Sequence, residues 1–577
     1  MSSGGDDQRH GGAAERYLPA FVIAFLFFVP QLSALAVERN RYFLFWSGRD
    51  TLAACAAITV LGGLGLLVGA LLERSGSRFL RGTRDQAMAV LFGLGLGVNL
   101  LPLLHVPWIL DLLKHHRPTA VYLSKVGLIG LFVGWLLLLF LRRDFIPRLV
   151  RGACLVLSPL IPIVLLPALF WTGFEVPSDP IPARPAPAKE GTPVFLFVFD
   201  EWSFERSADG DDFDSDLAAL RRLRDQSFFF TQARSPSRTT YLSLPELLFQ
   251  SHDFPGLPRV LLDRTDFPEK VPKDAAPYRI TPAAAPDRMP MNLFRLGRSR
   301  GYDTVMLGYY LPYRLILGGE VDLVRTYSDY PSGGTFAQRT RDVVIENPHY
   351  WRVPLLSRLW KEAYAPVFSR RWVALNEDLW RDFDAVVATS PERSLVVVHL
   401  PSPHAPFVFG PDGRYLGPFP VRSRLDEDID VDIMGGSRAD YHRNVLHLDT
   451  VVGRIVDRLR RAGRFDKSLV IMTSDHSWRT DPDIPRTLEP ERVRHVPLLI
   501  KVPGQNERRT IDAPFDDRSL GSIIEAALDG RLDTRAADRL IPEAEDSGMV
   551  TAGGGAAPER AASGPATSGE RRGAGGR

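Results

Sequence analysis

With 70 Lys and Arg against 68 Asp and Glu, the 577-residue chain carries a formal charge of only +2, so its balance gives no reason to expect a nucleic-acid partner. Its length suits two or three domains. The two cysteines, Cys55 and Cys154, both lie in apolar runs, which excludes disulfides, cysteine metal sites and a cysteine nucleophile from the rest of the chain.

Apolar runs crowd the first 171 positions. A helix that crosses a bilayer needs about 20 mostly apolar residues. Five runs approach that length: Leu18–Val37, Thr51–Leu72, Ala87–Leu104, Ala120–Leu141 and Gly152–Trp171. The first is too long for a simple cleaved signal peptide and reads as an anchor. The third carries Asn99 and Pro102 near its end. Lys125 is the single charge inside the runs and lies near one end, which argues against ion transport. Arg74, Arg78, Arg81 and Arg84 mark the second loop; Arg142, Arg143 and Arg148 mark the fourth, with Arg151 at the next helix start. The intervening loops hold fewer: Arg39, Arg41 and Arg49, then Lys114 and Arg117. The positive-inside pattern predicts a cytoplasmic tail over 1–16, a five-helix membrane domain over 17–172 and an exported remainder. The expected location is a cell membrane, multi-pass, with the soluble part periplasmic or extracellular. The glycines Gly62 to Gly69, and Gly93-Leu-Gly-Leu-Gly97, follow no strand, so they read as close helix packing rather than nucleotide loops.

Residues 173–191 are rich in Pro and Ala and read as a semi-rigid spacer. Residues 546–577 are mostly Gly, Ala, Ser and Arg, a composition that predicts disorder. Between them, over 192–545, strand and helix signals alternate. Val194–Phe199, Leu395–Leu400, Leu469–Thr473 and Pro497–Val502 read as buried strands, Thr304–Leu307 as a short one. Asp214–Asp225, Leu242–Leu248, Met291–Ser299 and Tyr441–Arg461 read as helices. The last is amphipathic, with Val445, Leu448, Val452, Ile455, Val456 and Leu459 on one face. The alternation predicts an α/β/α sandwich around a mostly parallel sheet, beside the α-helical membrane domain. Ligands of such sheets gather at the carboxyl ends of the strands.

Polar clusters stand at three of those ends. Val194–Phe199 runs into Asp200-Glu201. Leu469–Thr473 runs into Ser474-Asp475-His476. Leu395–Val398 runs into His399, with His404 just beyond in His-Leu-Pro-Ser-Pro-His-Ala-Pro. Paired carboxylates at a strand end are costly unless solvated or matched by a cation. Carboxylates and imidazole from separate strands make a divalent-metal site. Taken singly, each cluster also fits a strand-end residue that caps the next helix.

The ordered set resembles the alkaline phosphatase superfamily, in its sulfatase and membrane phosphotransferase branch. The matching pieces run from about residue 193 to 505: the strand ending in Asp200-Glu201; Arg238-Thr239-Thr240-Tyr-Leu-Ser243-Leu-Pro245; Leu293-Phe…Gly301-Tyr302-Asp-Thr304; His399…His404-Ala-Pro-Phe; the helix carrying Asp449; Thr473-Ser-Asp475-His476; and His495-Val-Pro-Leu-Leu-Ile-Lys-Val-Pro503. The membrane half resembles the anchors of phosphoethanolamine transferases and lipoteichoic acid synthases.

The resemblance implies one divalent metal ion, held by Asp475, His476 and one or both of Asp200 and Glu201. The transferases favour Glu201, and the acid pair of sulfatases favours both. A His among oxygen donors favours zinc or manganese over calcium. Thr240 matches the transferase nucleophile and would also touch the metal, with Thr239 and Ser237 as rival hydroxyls. His404 matches a group on the substrate or its leaving oxygen. Arg238, His399 and His495 are weaker substrate-binding candidates. Classical sulfatases make an aldehyde nucleophile from Cys or Ser in a Cys/Ser-x-Pro-x-Arg pattern. Here Pro236 and Arg238 are present, but the first position is Arg234, which cannot become that aldehyde.

The expected function is therefore a metal-dependent enzyme acting on phosphate esters through a covalent Thr240 intermediate. An acceptor hydroxyl would make it a transferase, and water a hydrolase. The anchor implies the lipid bilayer as partner and lipid-linked or envelope glycan substrates, since tethering raises effective concentration. A sulfate-ester hydrolase without the aldehyde and a non-catalytic sulfatase-like scaffold are the alternatives.

Overall fold

In a computed structural model, the residues described are 13–36, 46–74, 78–100, 117–142, 145–170, 179–183, 189–250, 291–328, 335–351, 354–418, 437–481 and 492–541. The Pro/Ala spacer lies only partly among them, and the 546–577 tail lies outside them.

Among the described residues the apolar runs are helical. They form α1 (Ala13–Ala36), α2 (Gly48–Arg74), α3 (Arg78–Leu100), α4 (Arg117–Leu141) and a broken pair, α5 (Phe145–Leu157) and α6 (Leu160–Phe170). The fifth element starts seven residues before the expected Gly152 and is interrupted at Ser158-Pro159, where the proline supplies no N–H to the ladder. Gly48–Leu72 and Phe145–Phe170 are long and apolar enough to cross a membrane, and Tyr17–Ser33 and Gly130–Leu141 are shorter apolar stretches. α1 is central. Phe25 and Phe28 pack on Ala53, Ala54 and Ala57 of α2, and Val22 and Leu26 pack among Ala89 and Phe92 of α3 and Ile146 and Val150 of α5. Two glycines mark close approach, as their sequence pattern suggested. A Cβ on Gly62 would lie 2.4 Å from the Phe21 ring, and one on Gly93 2.4 Å from Trp135 Nε1.

The part of the chain after residue 190 is built on an eight-stranded sheet. In chain order its elements are β1 (Val194–Asp200), α7 (Ala218–Arg224), β2 (Phe228–Phe230), α8 (Thr240–Phe249), α9 (Leu293–Ser299), β3 (Asp303–Tyr309), α10 (Tyr313–Leu317), β4 (Leu323–Tyr327), α11 (Phe336–Glu346), α12 (Pro354–Thr389), β5 (Ser394–Pro403), α13 (Arg438–Arg461), β6 (Leu469–Ser474), β7 (Leu498–Lys501), β8 (Arg509–Ile511) and α14 (Leu520–Leu528). The spatial order is β8-β2-β7-β6-β1-β5-β3-β4, parallel except for β7, which runs against both of its neighbours. β1 is central and fully buried, as its unbroken apolar run requires. Its side chains alternate between the two faces. Phe195, Phe197 and Phe199 join a core with α12 and α13, while Val194, Leu196 and Val198 join a second core with α8, α9 and α14.

The two halves meet at α11, which packs along α2. Arg339 pairs with Asp50 at 2.8 Å, both side chains being buried, and Val343 enters the α1–α2 cluster. Trp351 donates its indole N–H to the Phe27 carbonyl at 2.8 Å. From there α12 runs 36 residues back to the sheet.

Candidate functional site

The strand order brings the three polar strand ends side by side. β1 lies between β5 and β6, with Val198 level with both His399 and Thr473. A register shift between Phe199 and Asp200 swings the β1 end out of the regular ladder. Asp475 N donates to the Phe199 carbonyl at 3.1 Å, tying the β6 end to β1. The cluster therefore sits at the carboxyl edge of the central strands, where a parallel sheet presents its ligands.

Ligand atoms of Asp200, His399 and Asp475 lie within 4.8 Å of one another, all buried. Asp200 Oδ1, Asp475 Oδ2 and His399 Nε2 are buried and have no hydrogen-bond partner. Three such atoms converging in the interior form a candidate site for a cation that would satisfy them. Asp475 and His399 commit their other polar atoms elsewhere. Asp475 Oδ1 accepts from the backbone N–H of Glu201 at 3.1 Å and of His476 at 2.8 Å. His399 Nδ1 lies 2.9 Å from the Tyr309 carbonyl and 2.7 Å from the Tyr313 hydroxyl. Since a carbonyl only accepts, the proton sits on Nδ1 and the Nε2 lone pair faces Asp200, 4.0 Å away. His476 repeats the device: Nδ1–H donates to the Ser477 carbonyl at 2.8 Å, and Nε2 lies 3.3 Å from Asp475 Oδ2 and 3.9 Å from Asp200 Oδ1.

Protonation agrees with this geometry. Burial, and then the Glu201 charge, pushes the Asp200 carboxyl well above the usual carboxylate range; burial, and then Asp200, does the same to Asp475. Burial lowers both His399 and His476 to about 3, so each imidazole is neutral and able to ligate. Two buried acids beside two neutral imidazoles make a possible site for a divalent cation. These residues fit the metal that the motif order implied.

Thr240 opens α8 and is 4% exposed. Its hydroxyl donates to His476 Nε2 at 3.2 Å. The residue that caps α8 is Thr239, whose own hydroxyl is buried, makes no capping bond and has no partner. The structure thus sets Thr240 against the cluster and gives the capping position to its neighbour. His404 Nδ1–H donates to the Ala405 carbonyl at 2.5 Å, its ring lies 6.1 Å from that of Trp372, and Asn444 holds the Pro403 carbonyl at 2.8 Å.

Other candidates stand apart from the cluster. Glu201, an expected ligand, turns its carboxylate onto Arg479, with Nε donating to Oε1 at 2.8 Å. Burial works to raise that carboxyl, but His404, Arg479 and His476 outweigh it and hold it at about 2. His495 stacks on Phe204 and bonds the Thr231 carbonyl, among Glu205 and its partner Arg492. Arg238 is half-buried just before Thr239. Arg234, at the position an aldehyde-forming residue would need, is exposed. Asp449 accepts from Ala219 N at 3.1 Å and Leu220 N at 2.7 Å, and so caps α7. Sequence reasoning gave His399 only a weak substrate role, although a lone imidazole within an apolar strand run was the signal available. It missed Arg479 altogether.

The family model described as Sulfatase matches residues 194–522, which contain every residue of the cluster. The chain belongs to the sulfatase family. This sulfatase-family chain is similar in fold to the crystal structure of Ps i-CgsB, at 15% identity over 62% of this chain and 77% of that one, with a TM-score of 0.37. It is also similar to the phosphonate monoester hydrolase SpPMH from Silicibacter pomeroyi (14% identity, 59% and 73% coverage, TM-score 0.36). A third similar structure is the lipoteichoic acid synthase LtaP from Listeria monocytogenes (12% identity, 60% and 73% coverage, TM-score 0.31). No curated protein matches the sequence.

Proposed function

We propose that this sulfatase-family protein is a membrane-anchored, metal-dependent enzyme that transfers or hydrolyses phospho groups on lipid-linked or cell-envelope substrates through Thr240. One observation carries the reading: the Thr240 hydroxyl lies 3.2 Å from His476 Nε2, beside the three orphaned atoms of Asp200, Asp475 and His399. Asp200, His399, Asp475 and His476 would hold the metal. When bound, a divalent cation supplies positive charge that lowers the Thr240 hydroxyl pKa and offsets charge on the phosphoryl oxygens.

The remaining work falls to the chain itself. The first turn of α8 points its backbone N–H groups towards its N-terminus, which favours an anion beside Thr240. Thr240 Oγ loses its proton to solvent and forms a bond to phosphorus as the bond to the leaving oxygen breaks, and His404, when its ring also carries a proton on Nε2, stabilises that oxygen by hydrogen bonding or proton donation. Water or an acceptor hydroxyl then releases the group from Thr240. The exposed Arg234 supports Thr240 over an aldehyde as nucleophile. Anchoring is supported by Gly48–Leu72 and Phe145–Phe170, and by side chains such as Leu67, 56% exposed, and Phe170, 79% exposed, which are costly in water and at home in lipid. The arginine pattern of the loops supports export of the catalytic domain.

The test is to incubate the full-length protein with manganese or zinc and envelope lipids, quench in acid, and map added mass by peptide mass spectrometry. A phospho group on Thr240 supports the reading. A group on Thr239 or Ser237, or turnover of sulfate esters with no phospho-peptide, overturns it.

A further inference from the structure

Glu201 has a left-handed backbone, φ +65°, which costs a non-glycine residue energy and persists only where neighbours enforce it. Two distant groups enforce it here. The Glu201 N–H donates to Asp475 Oδ1 at 3.1 Å, and its carbonyl accepts from the Tyr441 hydroxyl at 2.6 Å. The effect is to separate two adjacent acids. Asp200 stays with the metal-fitting cluster, and the Glu201 carboxylate goes to Arg479.

Arg479 is itself fixed from both sides. Trp478, one residue before it, stacks on Tyr441 with centroids 4.2 Å apart and planes 7° from parallel. Asp481, two residues after it, receives both Nε (2.6 Å) and Nη2 (2.7 Å) of Arg206. The guanidinium is held by Glu201, whose own N–H is tied to Asp475, and the Arg479 side chain remains 34% exposed. Because Arg479 stays partly exposed while the buried Glu201 carboxylate holds it, its guanidinium can be reached from solvent. A guanidinium held rigidly beside carboxylates that bind a cation offers planar N–H donors to the oxygens of a tetrahedral oxyanion.

Resting on the reading of the cluster given above, we infer that Arg479 is an oxyanion-binding residue, contacting the phosphate or sulfate group of the substrate, and that Glu201 is its positioning residue rather than a metal ligand. The two acids at the β1 end then have separate tasks. Asp200 serves the cation and Glu201 the guanidinium that receives the anion.

The test uses the full-length protein, equilibrated with manganese and titrated with inorganic phosphate, metal content being read by elemental analysis and phosphate affinity by calorimetry. Glu201→Gln and Arg479→Gln should both keep wild-type metal content. Phosphate affinity should fall at least tenfold in Arg479→Gln, fall less in Glu201→Gln, and recover in part in Arg479→Lys. With a turned-over ester, the loss in Glu201→Gln should appear in KM more than in kcat. Metal loss in Glu201→Gln beside a loaded wild type overturns the assignment of Glu201 while leaving the cluster intact. Unchanged phosphate affinity in metal-loaded Arg479→Gln overturns the assignment of Arg479. A wild type that takes up no metal overturns the cluster reading and this inference together.

Discussion

Replacing Thr240 by Ala separates chemistry from structure because the structure limits what the hydroxyl can contribute to stability. The hydroxyl hydrogen-bonds His476 Nε2 at 3.2 Å and also reaches the Asp475 carboxyl. Such a bond contributes about 1 kcal/mol net. The capping contribution, about 0.5–2 kcal/mol where a side chain caps, does not apply, since Thr239 holds that position. In a chain of this size the loss corresponds to a Tm drop of about 2 °C. Loss of a nucleophile should instead slow turnover by at least about a thousandfold, roughly 4 kcal/mol in the barrier. Thr239→Ala removes a hydroxyl with no partner and should leave turnover within about tenfold of wild type. The assay pairs thermal melting with turnover of a phosphate ester by metal-loaded protein. Thr240→Ala retaining more than about a tenth of wild-type turnover would refute the reasoning, as would a melt lowered by more than about 8 °C with the metal lost.

Three further outcomes follow from the same geometry. Asp475→Asn should abolish metal uptake yet, in EDTA at neutral pH, be more stable than wild type. Burial and Asp200 raise the folded-state carboxyl of Asp475, so metal-free wild type loses stability as pH rises from the unfolded value of about 4 towards the raised one, and denaturant melts of both proteins across that range check the sign. Tyr313→Phe removes an oxygen 2.7 Å from His399 Nδ1 and should weaken metal affinity about tenfold or more with little change in fold, measured by competition with a chelator; unchanged affinity would remove His399 from the ligand set. A topology reporter fused after Gly191 should be active only outside the cytoplasm, and cytoplasmic activity would reverse the predicted orientation.

Much of the fold is written in local pattern. The unbroken apolar run of Val194–Phe199 announces a buried central strand, and the spacing of Val445, Leu448, Val452 and Ile455 announces the helix that covers it. β2 and β8 are three residues each, too short for periodicity to register, and the reversed direction of β7 leaves no trace in three apolar residues and a lysine. α12 escapes for the opposite reason: over 36 residues it passes from the α11 junction to the sheet core, so no single apolar face persists along it.

The candidate site divides in the same way. Its residue types, their order and their strand-end positions are properties of the sequence, because a parallel sheet presents its ligands wherever buried strands end. The division of labour between Asp200 and Glu201 is not. Successive residues on a regular strand point to opposite faces, and only the register shift at Phe199, the left-handed turn at Glu201 and the Asp475 hydrogen bond from 274 positions away decide which carboxylate joins the cluster. His399 likewise becomes a ligand candidate only when Tyr309 and Tyr313 fix its tautomer, and Arg479 a site residue only when Glu201 turns to meet it. Sequence sets which groups are available at a strand end; the direction in which each points is set by backbone dihedrals and hydrogen bonds that exist only once distant segments have packed.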